Sequence, residues 1–259
     1  MLLGFGLPNV EASLFSLIFV MVRIGAAFVA APVFGAVAVP VQLRVILAAA
    51  IGVLVVNNSP VAAPQAIFAF GTFLQIAQEA LVGLALGFIL QIAFAGPLVA
   101  SEAIGNTMGL GFATSVDPQR GAPTPAIGQF LTLMMTLLFL AVDGHLVLVE
   151  LVVRSYAVLP PGEAWLTAAK LQNIALFGGY AFAAGLLLAL PVGFILLGIN
   201  LVVGMLSRSA PALNLFAVGL PASLSVGLVA LAIAFPAMGD AMTALIREAL
   251  QVAANLVLG

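Results

Sequence analysis

Residues 67–99 read IFAFGTFLQIAQEALVGLALGFILQIAFAGPLV, which is longer than the roughly 20 apolar residues that a membrane-spanning helix needs. Polar and glycine residues interrupt this stretch at four-residue intervals, at Glu79, Gly83, Gly87 and Gln91. Residues four apart share a helix face, and small residues there let two helix backbones approach closely. The pattern favours a helix-packing seam, with an ion-coupling carboxylate at Glu79 as the alternative.

The composition of the whole chain is that of a membrane protein. Of its 259 residues, 64% are hydrophobic and 6% are charged, whereas a soluble domain carries about 25% charged residues. We therefore predict an all-α, polytopic membrane-type protein. The net charge of −2 gives no basic field for nucleic acid, and the absence of cysteine excludes disulfides and cysteine-based metal or redox sites. A single histidine, His145, excludes a multi-histidine metal centre, so we expect neither metal nor cofactor.

Several further segments are apolar enough to form helices, and their lengths are uneven. They cover residues 10–34, 45–56, 126–153, 174–206 and 215–235, and residues 240–259 have the pattern of an amphipathic tail helix. Uneven lengths predict broken helices and helical hairpins, with a break at Gly96-Pro97 and a kink at Pro191. No positively charged region precedes the first segment, so we expect a retained helix rather than a removed signal.

Residues 101–125, SEAIGNTMGLGFATSVDPQRGAPTP, separate two of these segments. The ends of this central loop are polar, but its centre at 108–113 is apolar and rich in glycine. Loops that only connect helices run over the protein surface and are normally more polar than this. We therefore predict that the central loop is the functional element.

A second polar pattern recurs every seven residues within 126–153, at Gln129, Thr136, Asp143 and Glu150. A seven-residue interval returns to nearly the same helix face, so an unbroken helix would carry a continuous polar seam. Such a face must meet protein or water rather than lipid tails. Subunit packing is favoured over a pore-lining face.

The sequence Asp143-Gly144-His145 places the chain's histidine beside a carboxylate. A hydrolase would need a positioned nucleophile. The serines nearest in sequence lie in loops that lack the sharp strand-to-helix turn on which hydrolases expose a catalytic serine. The structural interpretation is a local turn capped by Asp143 and permitted by Gly144. A proton relay at His145 is the alternative, because histidine titrates near neutrality.

Three sequence blocks occur in an order that resembles the FliR family of flagellar export-gate proteins. They are MGLGFATSVDP at 108–118, LFLAVDGHLVLVELVVRSYAVLP at 138–160 and GMLSRSAPALNLFAVGLP at 204–221. The third block is the most specific, and its matching residues are Arg208, Ala210, Pro211, Leu213, Asn214, Phe216, Gly219 and Pro221. The chain departs from many members at Gly111, where serine is common, and at Leu146, where a second histidine is common. The resemblance spans nearly the whole chain and favours the flagellar branch over its virulence relatives.

The resemblance implies one FliR-like domain over residues 1–259, similar to a FliP-like portion fused to a FliQ-like portion. Helical hairpins would occupy 1–100 and 126–259, with the central loop at 101–125 between them. Family members join FliP and FliQ subunits, with one FliR-like copy per assembly, and work with FlhA and FlhB. That assembly is the pore through which unfolded flagellar subunits cross the bacterial inner membrane at the flagellar basal body. The chain would then be a structural and gating subunit in contact with lipid, and not an enzyme.

The family's FliR-like subunit closes the pore with a plug, which by resemblance falls on the centre of the loop. The apolar seal would be formed by Met108, Leu110, Phe112 and Ala113. Gly109 and Gly111 would let the backbone bend, and Asp117-Pro118 would anchor the end of the loop. An apolar constriction blocks ions by dewetting. A buried packing element is the alternative interpretation of the loop.

The other motif residues are assigned to subunit assembly. The polar seams contribute Glu79, Gly83, Gly87, Asp143, Gly144, His145 and Glu150, and the third block contributes Arg208, Pro211, Asn214, Phe216, Gly219 and Pro221. One alternative function is the gate subunit of a virulence type III secretion system. Another is a small-solute or ion transporter, which the acidic residues Glu79, Asp143 and Glu150 would serve. An intramembrane hydrolase would depend on His145.

Overall fold

The computed structural model describes residues 8–58, 69–110, 126–161, 167–209 and 215–258, without the side chains of 8–12 and 215–218. Seven helices and no strand lie within these ranges. We number them α1 (Pro8–Ala30), α2 (Val41–Asn58), α3 (Phe70–Thr107), α4 (Ala126–Ala141), α5 (Gly144–Val158), α6 (Ala168–Ser209) and α7 (Leu215–Leu258). The predicted all-α class is confirmed.

Five of these helices are long and apolar enough to cross a membrane. The qualifying spans lie in α1, α2, α3, α6 and α7, and the pair α4 and α5 passes the same test as one broken span. The prediction of a polytopic membrane-type protein is therefore confirmed for the part of the chain that the structure describes.

The predicted break at Gly96-Pro97 and the predicted separation of residues 215–235 from 240–259 are wrong, because helices continue through prolines. Helix α3 passes through Pro97, and α7 passes through Pro236, so the predicted tail helix at 240–259 is the end of a longer one. A proline removes one backbone hydrogen bond, and neighbouring helices in a membrane protein can compensate for the loss. Helix α6 packs closely against α3 at this point, since a Cβ on Gly185 of α6 would lie 2.5 Å from the Gly96 carbonyl oxygen.

The start of the central loop is also shifted. Helix α3 ends at Thr107, so residues 101–107 are helical rather than part of the loop. The helix continues because its last turns are anchored by buried side chains, Ala100, Ser101 and Ile104 among them. The apolar run ends at residue 99 because polar residues begin there. The helix nevertheless continues, because its buried face extends beyond that residue.

The described helices group into two compact units. Unit 1 takes its described residues from 1–92, 143–177 and 247–259, and unit 2 takes its described residues from 93–142 and 178–246. Each unit therefore takes chain from both sides of the central loop. The core of unit 1 includes Val20, Ile24, Ala27, Phe28, Leu86, Leu90, Leu148 and Val152. The core of unit 2 includes Ala100, Ile104, Met108, Leu131, Met135, Phe139, Val192, Leu196 and Met242.

Candidate functional site

The most extensive buried polar cluster described in unit 1 is centred on Arg23 of α1. Its guanidinium makes a two-point ion pair with Glu79 of α3, with Nε to Oε2 and Nη2 to Oε1 both at 2.8 Å. The two residues are only 1% and 2% exposed. Paired geometry of this kind is the strongest form of arginine–carboxylate contact, and it neutralises both charges where water is absent.

The same guanidinium also joins α5 to the pair. Nη1 donates to the Ser155 hydroxyl at 2.8 Å, and Nη2 donates to the Leu159 carbonyl at 3.0 Å. The Arg23 carbon Cζ lies 4.1 Å from the centre of the Tyr156 ring, a cation–π contact. Tyr156 in turn donates its hydroxyl to the Val20 carbonyl at 2.7 Å. A cation at the C-terminal end of α5 is favourable for the helix dipole, so this Arg23 cluster stabilises three helices together.

Gly83 and Gly87 lie on the α3 face that carries Glu79, and both meet the backbone of α1. A Cβ on Gly83 would collide with the Arg23 carbonyl oxygen and lie 2.9 Å from the Ala27 nitrogen. A Cβ on Gly87 would lie 2.6 Å from the Ala27 carbonyl oxygen. The α3 face with the four-residue spacing therefore packs against α1 of the same chain. An ion-coupling carboxylate would need access to water or ions, which the buried Glu79 lacks.

In unit 2, helix α3 ends in a glycine-terminated motif at the root of the central loop. The Leu110 amide donates to the Gly105 carbonyl at 2.9 Å, and the Gly109 amide donates to the Asn106 carbonyl at 3.1 Å. Gly109 has a φ of 80°, in the left-handed region that glycine adopts without strain. These two bonds are the Schellman pattern that satisfies the last carbonyls of a helix. The remaining predicted loop residues, Gly111, Phe112, Ala113, Asp117 and Pro118, lie outside the described residues.

A two-residue break separates α4 from α5 at Val142 and Asp143. Asp143 has a φ of 56° and makes no side-chain cap bond, while its carbonyl accepts from Leu146 and Val147 at 2.9 and 3.0 Å. The predicted turn is present, but capping by the Asp143 side chain is wrong. The left-handed residue is Asp143 itself, one of the few residue types that enter this region, and not Gly144.

The break also corrects the predicted seven-residue seam, because Gln129 and Thr136 lie on α4 whereas Glu150 lies on α5. No single helix face joins them. Glu150 is exposed and pairs with Arg154 one turn later at 3.2 Å. The Nδ1 of His145 is buried and has no hydrogen-bond partner among the described residues.

The left-handed conformation of Asp143 gives a first prediction. Asp143→Gly should raise the free energy of unfolding by up to about 1 kcal/mol, since glycine adopts positive φ without a Cβ penalty. Asp143→Val should lower the free energy of unfolding by at least about 1 kcal/mol, because a β-branched residue is strained at positive φ. Denaturation of the purified chain in detergent measures both. Equal stability of the glycine and valine variants would contradict the assigned conformation.

The third sequence block extends from the end of α6 into α7. Arg208 is exposed in the last turn of α6, where a cation complements the helix dipole. Gly219 and Pro221 lie inside α7, and a Cβ on Gly219 would lie 3.1 Å from Val203 of α6. Pro211, Asn214 and the side chain of Phe216 lie outside the described residues.

Comparison with known proteins gives a consistent result. The family described as bacterial export proteins, family 1, matches residues 14–249. The chain is 37% identical over 236 residues to the flagellar biosynthetic protein FliR of Pectobacterium carotovorum subsp. carotovorum, which covers 91% of this chain and 90% of that protein. The corresponding protein of Escherichia coli K12 is 34% identical, with 92% and 90% covered. That of Bacillus subtilis 168 is 33% identical, with 82% and 83% covered.

Proposed function

This chain belongs to the FliR family of bacterial export proteins, and we propose that it is a structural and gating subunit of the flagellar type III protein-export channel. Membership makes it a flagellar biosynthetic export component. Together with the FliR relatives, its five candidate membrane spans make it a multi-pass protein of the inner membrane. The proposed cargo is unfolded flagellar protein. Neither enzymatic activity nor a cofactor is part of the proposal, since energy for export would come from other components.

The observation that carries the gating role is the fixed root of the central loop. Helix α3 is ended by the paired bonds at Gly105 and Asn106, and the Met108 side chain is 1% exposed. The segment that follows therefore leaves from a defined point, as a plug requires.

The exposed surface of α6 supports assembly with other subunits. Within unit 2 this helix presents large apolar side chains that nothing in the described chain covers, namely Phe182, Leu187, Phe194, Leu197, Leu201 and Met205. Gly193, Gly198 and Gly204 have open space where a Cβ would be. Glycines on an apolar helix face allow a second helix to pack closely. We propose FliP-like and FliQ-like subunits as the partners, with FlhA-like and FlhB-like components beyond them and one copy of this chain per assembly.

The pairing of Glu79 disfavours a solute or ion transporter. A coupling carboxylate must gain and lose its ion or proton during each cycle, whereas Glu79 is held by two bonds to a buried arginine. Asp143 and Glu150, the other acidic residues considered for transport, are exposed. The flagellar names of the reported relatives favour flagellar over virulence export.

Deleting residues 111–118 from the assembled channel tests the proposal. This deletion keeps the helix-ending motif at 105–110 and removes Phe112 and Ala113 of the predicted seal, so small molecules should leak across the membrane. Replacing the same residues with a Gly/Ser segment of equal length is the matched variant, which preserves chain length but not apolarity. Uptake of a small fluorescent solute into cells measures the leak.

Assembly is checked in parallel by mass measurement after gentle purification with FliP-like and FliQ-like partners. A single copy of this chain in a mixed assembly is the expected result. If the channel forms with either variant and membranes stay as tight as with the unaltered chain, the gating role is wrong. If the unaltered chain purifies alone under the same conditions, the proposed partners are wrong.

A further inference from the structure

We propose that Met108 anchors the central loop in a notch at Gly227 of α7 and is not part of the apolar seal. This inference rests on the proposed gating function. The sequence analysis assigned Met108 to the seal that closes the pore, whereas the structure gives it the role of holding the closing segment in place. The contacts that carry it all lie within unit 2.

The fit between Met108 and Gly227 is close along the whole methionine side chain. A Cβ placed on Gly227 would lie 2.8 Å from both Cγ and Cε of Met108 and 3.0 Å from its Sδ. These are three successive groups of one side chain, so Met108 lies lengthwise across the glycine. Any larger residue at position 227 would occupy the space that Met108 fills.

A glycine in the interior of a helix needs a packing reason, and the contact with Met108 supplies one. Glycine is less favourable than alanine in a helix interior by roughly 0.5–1 kcal/mol, because it gains more freedom in the unfolded chain. Gly227 lies in the interior of α7 and its open side is filled by Met108. Methionine suits an irregular space because its unbranched side chain adapts to the surface it meets.

Polar contacts from α6, supported by α7, also hold the C-terminal end of α3. The Asn200 amide of α6 donates to the Thr107 carbonyl at 3.4 Å. Ser223 donates its hydroxyl to Asn200 Oδ1 at 3.0 Å, and Ser223 is 5% exposed. Ser223 and Gly227 are four residues apart and share a face of α7. Helices α6 and α7 therefore fix both the last carbonyl of α3 and the side chain that follows it.

Burial decides which role Met108 can have. A side chain that is 1% exposed and wedged against another helix has no surface left to line a pore. The paired bonds to Gly105 and Asn106 then set the direction in which the chain leaves Leu110. Loss of the anchor should free this root while leaving residues 111–118 intact.

Leak through the assembled channel tests the anchor. Met108→Ala removes the wedged side chain, and we expect roughly a tenfold rise in solute uptake per assembled channel, because the closed arrangement loses a buried contact. Met108→Leu keeps most of the volume and should stay tight. In the Met108→Ala background, Gly227→Leu refills the notch from the opposite side and should lower the leak again.

Each outcome decides between the two proposals. A tight Met108→Ala channel of normal composition overturns the anchor, and if the deletion of 111–118 still leaks, the gating function stands. If both are tight, the gating function falls. Should Met108→Ala fail to assemble, Gly227→Ala replaces it, since the added Cβ displaces Met108 with little loss of volume. A tight Gly227→Ala channel, or failure of every variant to assemble, overturns the anchor.

Discussion

Arg23→Leu is expected to lower the free energy of unfolding by about 3–5 kcal/mol, the range for breaking a buried ion pair from one side. The physical reason is the carboxylate that remains. Glu79 is 2% exposed and would lose both of its bonds to the guanidinium, which leaves an uncompensated charge in an apolar interior. The Ser155 hydroxyl and the Leu159 carbonyl would lose the same donor. Denaturation of the purified chain in mixed detergent and sodium dodecyl sulfate measures the change.

A second arginine–glutamate pair in the same chain supplies the control. Arg154 and Glu150 are bonded at 3.2 Å, but their side chains are 63% and 60% exposed. Arg154→Leu should change stability by no more than about 1 kcal/mol, since exposed pairs contribute little. The double variant Arg23→Leu/Glu79→Leu removes both buried charges and should recover most of the loss. Equal effects of Arg23→Leu and Arg154→Leu would contradict the burial of the Arg23 cluster.

Gly83→Ala is expected to destabilise unit 1 although alanine is the better helix former. The added Cβ would collide with the Arg23 carbonyl and lie 2.9 Å from the Ala27 nitrogen, and neither backbone atom can move aside without shifting α1. Overpacking of this kind costs about 1–3 kcal/mol, which exceeds the gain of up to about 1 kcal/mol from replacing a helical glycine. The shift would also displace Arg23 from Glu79. Detergent denaturation again provides the measurement.

Gly25→Ala is the matched control for this prediction. Gly25 lies in α1, two residues from Arg23, and nothing lies within 4 Å of a Cβ at that position. We expect the variant to be as stable as the unaltered chain or more stable, so the two alanine substitutions should have opposite signs. A stabilising effect at Gly83 would mean that α1 and α3 do not pack as described.

The sequence predicted the helices well and their ends less well. Hydropathy located α1, α2, α3 and α6, because a run of apolar residues is the signal that a bilayer selects. It failed at Pro97 and Pro236, where packing against neighbouring residues decides whether a helix continues. It also stopped α3 too early, since a helix can bury one face while its other residues are polar.

The sequence alone indicates no specific role for Arg23. An arginine inside an apolar segment, with Glu79 inside another, is a signal that two charges will pair in the fold. The pairing itself joins residues 56 apart, and the bond to Ser155 joins residues 132 apart, so no local pattern identifies the partners. The sequence also does not reveal the left-handed backbone at Asp143. The neighbouring Gly144 is the more obvious candidate for that conformation, because glycine adopts it without strain.

The Arg23 cluster has a consequence for the synthesis of this protein. The guanidinium of Arg23 bonds to the carbonyl of Leu159, 136 residues later in the chain. At a translation rate of about 5–20 residues per second, Leu159 emerges on the order of ten seconds after Arg23. During that interval α1 carries a cation that can pair with Glu79, 56 residues later, but not yet with Ser155 or Leu159. The Arg23 cluster is therefore completed in two steps, and until Glu79 has been made the cation must be held near water or by the insertion machinery.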